Sequence, residues 1–170
     1  PGLAARKRFS DLDERQILAL AISAEEDDAA IYRTYADHLR EDYPDTAHIF
    51  EGMAGEEDSH RRRLIEIFTR RFGETIPLIR REHVAGFYTR RPVWLVENLG
   101  LERIREEAGA MEREARDFYL KAAQRTADAE TRKLLGDLAA AEAGHETEAE
   151  RLQAEHLPED ARSREDAAAH

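Results

Sequence analysis

The chain of 170 residues contains no cysteine. Disulfides, zinc ribbons, rubredoxin-type iron centres and cysteine nucleophiles are therefore excluded. Glycine and proline are sparse, at nine and five residues, which argues against an all-β fold with many turns. No apolar run approaches the ~20 residues needed to span a bilayer, and no signal peptide is visible. Positive charge is also in deficit. The formal net charge of -11 makes general nucleic-acid binding a poor fit.

What the chain has is helix-forming material. Hydrophobic residues make up 41% and charged residues 37%, a balance that suits long amphipathic helices. The charge is uneven: residues 61–91 hold nine arginines against three glutamates. Such a stretch reads either as a solvated helix face with local ion pairs or as a surface for an anionic membrane or acidic partner.

Apolar residues at helical spacing predict four long helices. Helix A is expected over about 11–41, opened by Ser10 and Asp13 in an approximate capping box and broken at Tyr43-Pro44. Helix B should be capped by Asp45 or Thr46 and end at Gly73. A long connection over 74–91 follows, with a short helix expected near Glu82–Tyr88. Pro92 suits the first turn of helix C, which reads on through Trp94, Leu95 and Leu99 to about Arg125. Asp128 begins helix D, which fades near His156. The expected organisation is an N-terminal extension over 1–9, a helical domain over 10–156 and a polar tail over 157–170. Pro1-Gly2 without a preceding Met reads as a cloning remnant, and the tail as a point beyond which the natural protein continues.

The helix pairs repeat each other. EEDDAAIYRTYA from Glu25 matches EREARDFYLKAA from Glu112, and MAGEEDSHRRRL in helix B matches LAAAEAGHETEA in helix D. This points to a duplicated helical hairpin and an all-α four-helix bundle. Glu57 with His60, and Glu142 with His145, are each three residues apart and so share a helix face. A di-iron carboxylate bundle needs two such Glu-x-x-His pairs and one further glutamate from each remaining helix. Glu25 and Glu112 fit that role, each on an apolar stripe seven residues before a tyrosine, Tyr32 or Tyr119. Two divalent cations nearly cancel four carboxylates, which lets an apolar bundle hold so many acids. Carboxylate and imidazole donors suit iron or manganese, and disfavour structural zinc.

Weaker candidates accompany these six. Glu114 is a candidate extra ligand, and Glu26, Asp27 and Asp28 crowd the helix A site while reading mostly as solvent-facing. Tyr32 and Tyr119 either hydrogen-bond the site carboxylates or fill the core. His38, His48, His83, His156 and His170 lack paired spacing and read as surface residues.

With these motifs, the chain resembles the rubrerythrin-like (erythrin) branch of the ferritin-like superfamily over about residues 10–156. The stretch 76–123 is closer still to membrane-bound ferritin A, in which an erythrin domain precedes a membrane domain similar to vacuolar iron transporters. The resemblance implies a ferritin-like bundle with two Fe ions (Mn or Zn as substitutes). It also implies a fused membrane transporter domain, a place on the cytoplasmic side of the bacterial inner membrane, and a role in iron export under iron and peroxide stress. A ferroxidase or peroxide-consuming activity is the enzymatic form of that expectation, and an iron sensor and dimerisation module the non-enzymatic form. The long 74–91 connection is compatible with a homodimer that exchanges hairpins and completes each site between subunits.

Overall fold

A computed structural model of the chain describes residues 6–87 and 99–145. Within them lie four α-helices: α1 (Glu14–Leu39), α2 (Pro44–Phe72), α3 (Leu101–Gln124) and α4, helical from 129 to 145. Single 3-10 turns occur at Phe9–Asp11 and Arg81–His83. No β-strand is present among the described residues. The architecture is the all-α ferritin-like four-helix bundle expected from the motifs.

Local chemistry sets the helix ends, in places differently from the sequence reading. Asp13, not Ser10, caps α1: its carboxylate accepts from Gln16 N at 2.8 Å, while Gln16 Oε1 accepts from Asp13 N at 3.0 Å. A partner with a Gln side chain serves the box as well as Glu. Helix α2 starts at Pro44 itself, with no side-chain cap from Asp45 or Thr46. Proline at the first helical position needs no N–H partner and brings a helical φ. At the other end, Gly73 adopts φ 93° and its N–H reaches Thr69 O at 3.1 Å, a conformation that favours glycine. Gly100, with ψ 164°, stands outside the helix, so α3 starts at Leu101 rather than running through Leu99. Pro92, Trp94, Leu95, Tyr88, His156, His170 and the 157–170 tail lie outside the described residues. Asp128 caps α4, accepting from Thr131 N at 3.0 Å and Thr131 Oγ1 at 2.7 Å.

The expected short helix near Glu82 is a single 3-10 turn, held against α1 through Arg81, whose guanidinium donates to Asp28 at 2.7 Å. Residue 7 pairs with this connection: Lys7 N donates to His83 O at 3.0 Å and Ala85 N to Lys7 O at 2.8 Å. The arginine-rich stretch engages neighbouring helices. Arg70 pairs with Glu130 and Arg71 with Glu14, both at 2.7 Å. Partly exposed pairs of this kind contribute about 0–1 kcal/mol each.

The core is two apolar clusters with a polar layer between them. One gathers Ile17 to Ile22, Leu64 to Phe68, Phe118 to Ala122 and Leu134 to Ala139. The other gathers Ile31 to Leu39, Phe50 to Ala54 and Leu101 to Met111. Between these two runs, α1 carries Glu25, α2 carries Glu57 and His60, and α3 carries Glu112. Helix α4 adds Glu142 and His145 just past its apolar run. The acids therefore share one level of the bundle. Among the described residues no helix is long and apolar enough to cross a membrane.

Candidate metal centre

At that level the six sequence-selected residues come together within one chain. Glu25, Glu57, His60 and Glu142 each offer a ligand atom, and these four lie within 4.8 Å of one another. Glu112, Glu142 and His145 form a second such group. Glu142 belongs to both. Its Oε1 lies 3.6 Å from His60 Nδ1 and its Oε2 3.7 Å from His145 Nδ1, so one carboxylate spans the two groups. His60 Nδ1 is 3.7 Å from Glu25 Oε1, and His145 Nδ1 is 3.7 Å from Glu112 Oε2 and 3.9 Å from Glu57 Oε1. The imidazoles are nearly parallel, with centroids 6.3 Å apart.

These separations are too long for hydrogen bonds. They match two donors that each sit about 2 Å from a shared cation. The side chains are also deeply buried: Glu25 is 2% exposed and Glu57, Glu112 and Glu142 are each 1%. Seven buried side-chain polar atoms lack a hydrogen-bond partner among the described residues, and six of them are one atom from each of these residues. Buried polar groups are rarely left unpaired, because the desolvation cost is about 1–3 kcal/mol each and more for charges. Six orphaned donors aimed at one centre fit a pair of cations, with the hard oxygen and imidazole set that iron or manganese takes.

Protons are the competitors for those positions. Burial, followed by the charge of Glu25, pushes Glu57 well above the usual carboxylate range. Burial also raises Glu112 to about 8, with His145 opposing and Glu142 adding to the shift. For His60, burial works against the charged form, but the carboxylates of Glu142 and Glu25 outweigh it and lift the pKa to about 9. His145 is raised in the same way, against burial, chiefly by Glu142 and Glu112. Burial would raise Glu142, yet His145 and His60 hold it down to about 2. The cluster thus balances charge with protons where divalent cations would otherwise do so.

The tyrosines engage the carboxylates. Tyr32 Oη donates to Glu112 Oε1 at 3.3 Å, and Tyr119 Oη donates to Glu25 Oε1. Burial first, and then the facing carboxylate, raises both phenols well above 10, so both stay neutral donors.

Glu114 is not brought into either group. It is two residues after Glu112, and residues two apart on a helix do not face the same way. It lines a small pocket with Asp28, Arg81 and Tyr119 instead. Asp28, read as solvent-facing, is 4% exposed and pairs with Arg81, itself 6% exposed; Glu26 is exposed and Asp27 half-buried. The spacing Glu25-x-x-Asp28 already placed Asp28 on the site face. His38 is half-buried, with Nε2 3.3 Å from Leu99 O, while His48 and His83 are exposed.

Three groups escaped the sequence reading. Glu107 is buried and accepts from Tyr35 Oη at 3.2 Å. Arg81 looked like one more member of the basic stretch. Glu56 meets His145 Nε2. None carries a periodic signal, because each partner is on another segment.

A family model described as Rubrerythrin matches residues 16–153, a span that includes all six converging residues. No curated protein matches the chain. Among solved structures, a hypothetical protein from Pyrococcus furiosus shares the fold with a TM-score of 0.70, at 23% identity over 89% of this chain and 94% of that one. The sequence match extends over most of the chain and agrees with the bundle and its buried acids: the chain belongs to the rubrerythrin family.

Proposed function

We propose that this chain is a di-iron-binding domain that captures Fe(II) for a membrane-bound iron exporter and oxidises it, with oxygen or peroxide taking the electrons, in defence against iron and peroxide stress. The observation that carries the metal reading is the convergence of six buried, unpartnered donor atoms. Membership in a family that usually binds two irons supports the choice of metal. The attached transporter and the cytoplasmic side rest on the resemblance of the 76–123 stretch to membrane-bound ferritin A, and the limits of the domain at 10–156 on the helix pattern and the rubrerythrin-like motifs.

In this reading Glu142, which belongs to both donor groups, and Glu57 would be shared between the two metal positions, Glu25 and His60 would hold one, and Glu112 and His145 the other. Tyr32 and Tyr119 hold the terminal carboxylates in place. Bound iron supplies the redox chemistry; the protein excludes water from the centre and fixes donor geometry. Mn or Zn would be substitutes in the same donor set. We also propose a homodimer; all six donors come from one chain here, so hairpin exchange is not required to complete the site.

Iron titration of the metal-free chain tests this directly. Two equivalents per chain are expected, and Glu25→Ala with Glu112→Ala should abolish stoichiometric binding. Retention of two irons in that double variant would overturn the assignment. The deep burial of the donors also suits a sensor, in which metal orders the bundle without turnover. Fe(II) oxidation by the isolated chain separates the readings: metal-dependent stability without oxidation favours the sensor.

A further inference from the structure

The hairpin repeat is inexact at one position beside the metal centre. His145 presents its two ring nitrogens to different settings. Nδ1 is inside the cluster, facing Glu112, Glu142 and Glu57. Nε2 meets the carboxylate of Glu56, the residue before Glu57 on α2. The Glu56 side chain is 56% exposed, so it approaches His145 from the rim of the bundle. In the repeat, Glu57 corresponds to Glu142 and His60 to His145, which makes Ala141 the counterpart of Glu56. Ala141 offers no acceptor, and among the described residues no carboxylate meets Nε2 of His60.

An imidazole that binds a cation through one nitrogen must carry its proton on the other. A carboxylate at that outer nitrogen selects the tautomer, orients the ring and strengthens the donor. We propose that Glu56 is the positioning residue for His145, and that its missing counterpart at Ala141 makes the two metal positions inequivalent. The inference rests on the metal-binding reading above.

The test is Co(II) titration of the metal-free chain against a competing chelator, followed by absorption. Wild type should take two equivalents. Glu56→Ala should weaken one equivalent about 10–100-fold and leave the other unchanged. Glu56→Gln keeps an acceptor oxygen and should restore most of that loss. On a His145→Ala background Glu56→Ala should have no further effect, while on a His60→Ala background it should keep its full effect. Glu56 is exposed, so the metal-free variants should melt like wild type. A wild type that takes up no metal sinks the metal reading itself. Two unaltered equivalents in Glu56→Ala, or equal weakening of both, overturns this inference while leaving that reading intact.

Discussion

Tyr119 of α3 donates its phenolic hydrogen to Glu25 of α1, across 94 residues of chain, and Tyr32 of α1 returns the arrangement to Glu112 of α3. Each half of the repeat thus supplies the hydrogen bond that holds the other half's glutamate. The exchange follows from geometry. Each tyrosine lies two turns along its own helix from its own glutamate, too far to bond it, and bonds the glutamate of the facing helix instead.

Removing one of these hydroxyls should spare the fold and loosen the centre. Tyr32→Phe and Tyr119→Phe should each cost about 1 kcal/mol of stability, the net worth of an ordinary hydrogen bond. Each should lower metal affinity about 10–100-fold, as loss of an outer partner of a ligand does. Chelator competition and thermal melting check both halves of this expectation.

The pH dependence should differ in sign between the metal-free and metal-loaded protein. His60, raised from 6.5 to about 9, contributes stability in full below pH 6.5 that is lost as pH rises through 9. Glu112, raised from 4.5 to about 8, also favours the fold at low pH and opposes it as pH climbs through 8. Glu142, lowered from 4.5 to about 2, contributes above 4.5 and loses that contribution as pH falls through 2. The metal-free chain should therefore be most stable near pH 4.5, weaken as the Glu112 contribution is lost between 4.5 and 8, and weaken further as that of His60 is lost between 6.5 and 9. Metal binding must displace the same protons, so affinity and the metal-induced rise in melting temperature should grow over pH 6–9. Melting curves at several pH values, with and without Mn(II), measure both trends. A metal-induced rise that shrinks with pH would contradict the protonation pattern.

Arg81→Met should be among the most damaging substitutions outside the centre. It leaves Asp28, 4% exposed, without its guanidinium. Breaking a buried pair from one side costs about 3–5 kcal/mol. Replacing both partners, Arg81→Met with Asp28→Leu, should recover much of the loss. Chemical denaturation of the two variants gives the comparison.

Glu114→Gln should leave two metal equivalents per chain with unchanged affinity, because Glu114 falls outside both donor groups. Glu57→Gln should remove a donor from the cluster and weaken binding at least tenfold. Calorimetric titration distinguishes the two, and a loss of stoichiometry in Glu114→Gln would restore it as a ligand.

Four helices, their pairing as a repeat, and the six residues that converge were all legible in the amino-acid order. The reason is that helix periodicity is local. Residues three apart share a face, so Glu57 and His60 declare a common direction without knowledge of any neighbour, and the repeat shows that Glu142 and His145 do the same. Helix ends were less legible at Asp13, Pro44 and Gly100, where several adjacent residues could each serve as the boundary. Only the tertiary structure decided which tyrosine serves which glutamate, that Asp28 turns inward to Arg81, that Glu107 accepts from Tyr35, and that Glu56 stands behind His145. Those partners are on different segments, 53 residues apart for Asp28 and Arg81 and 72 for Tyr35 and Glu107. Such contacts depend on how the helices rotate and slide against one another, and that is settled by packing the two apolar clusters around the acids.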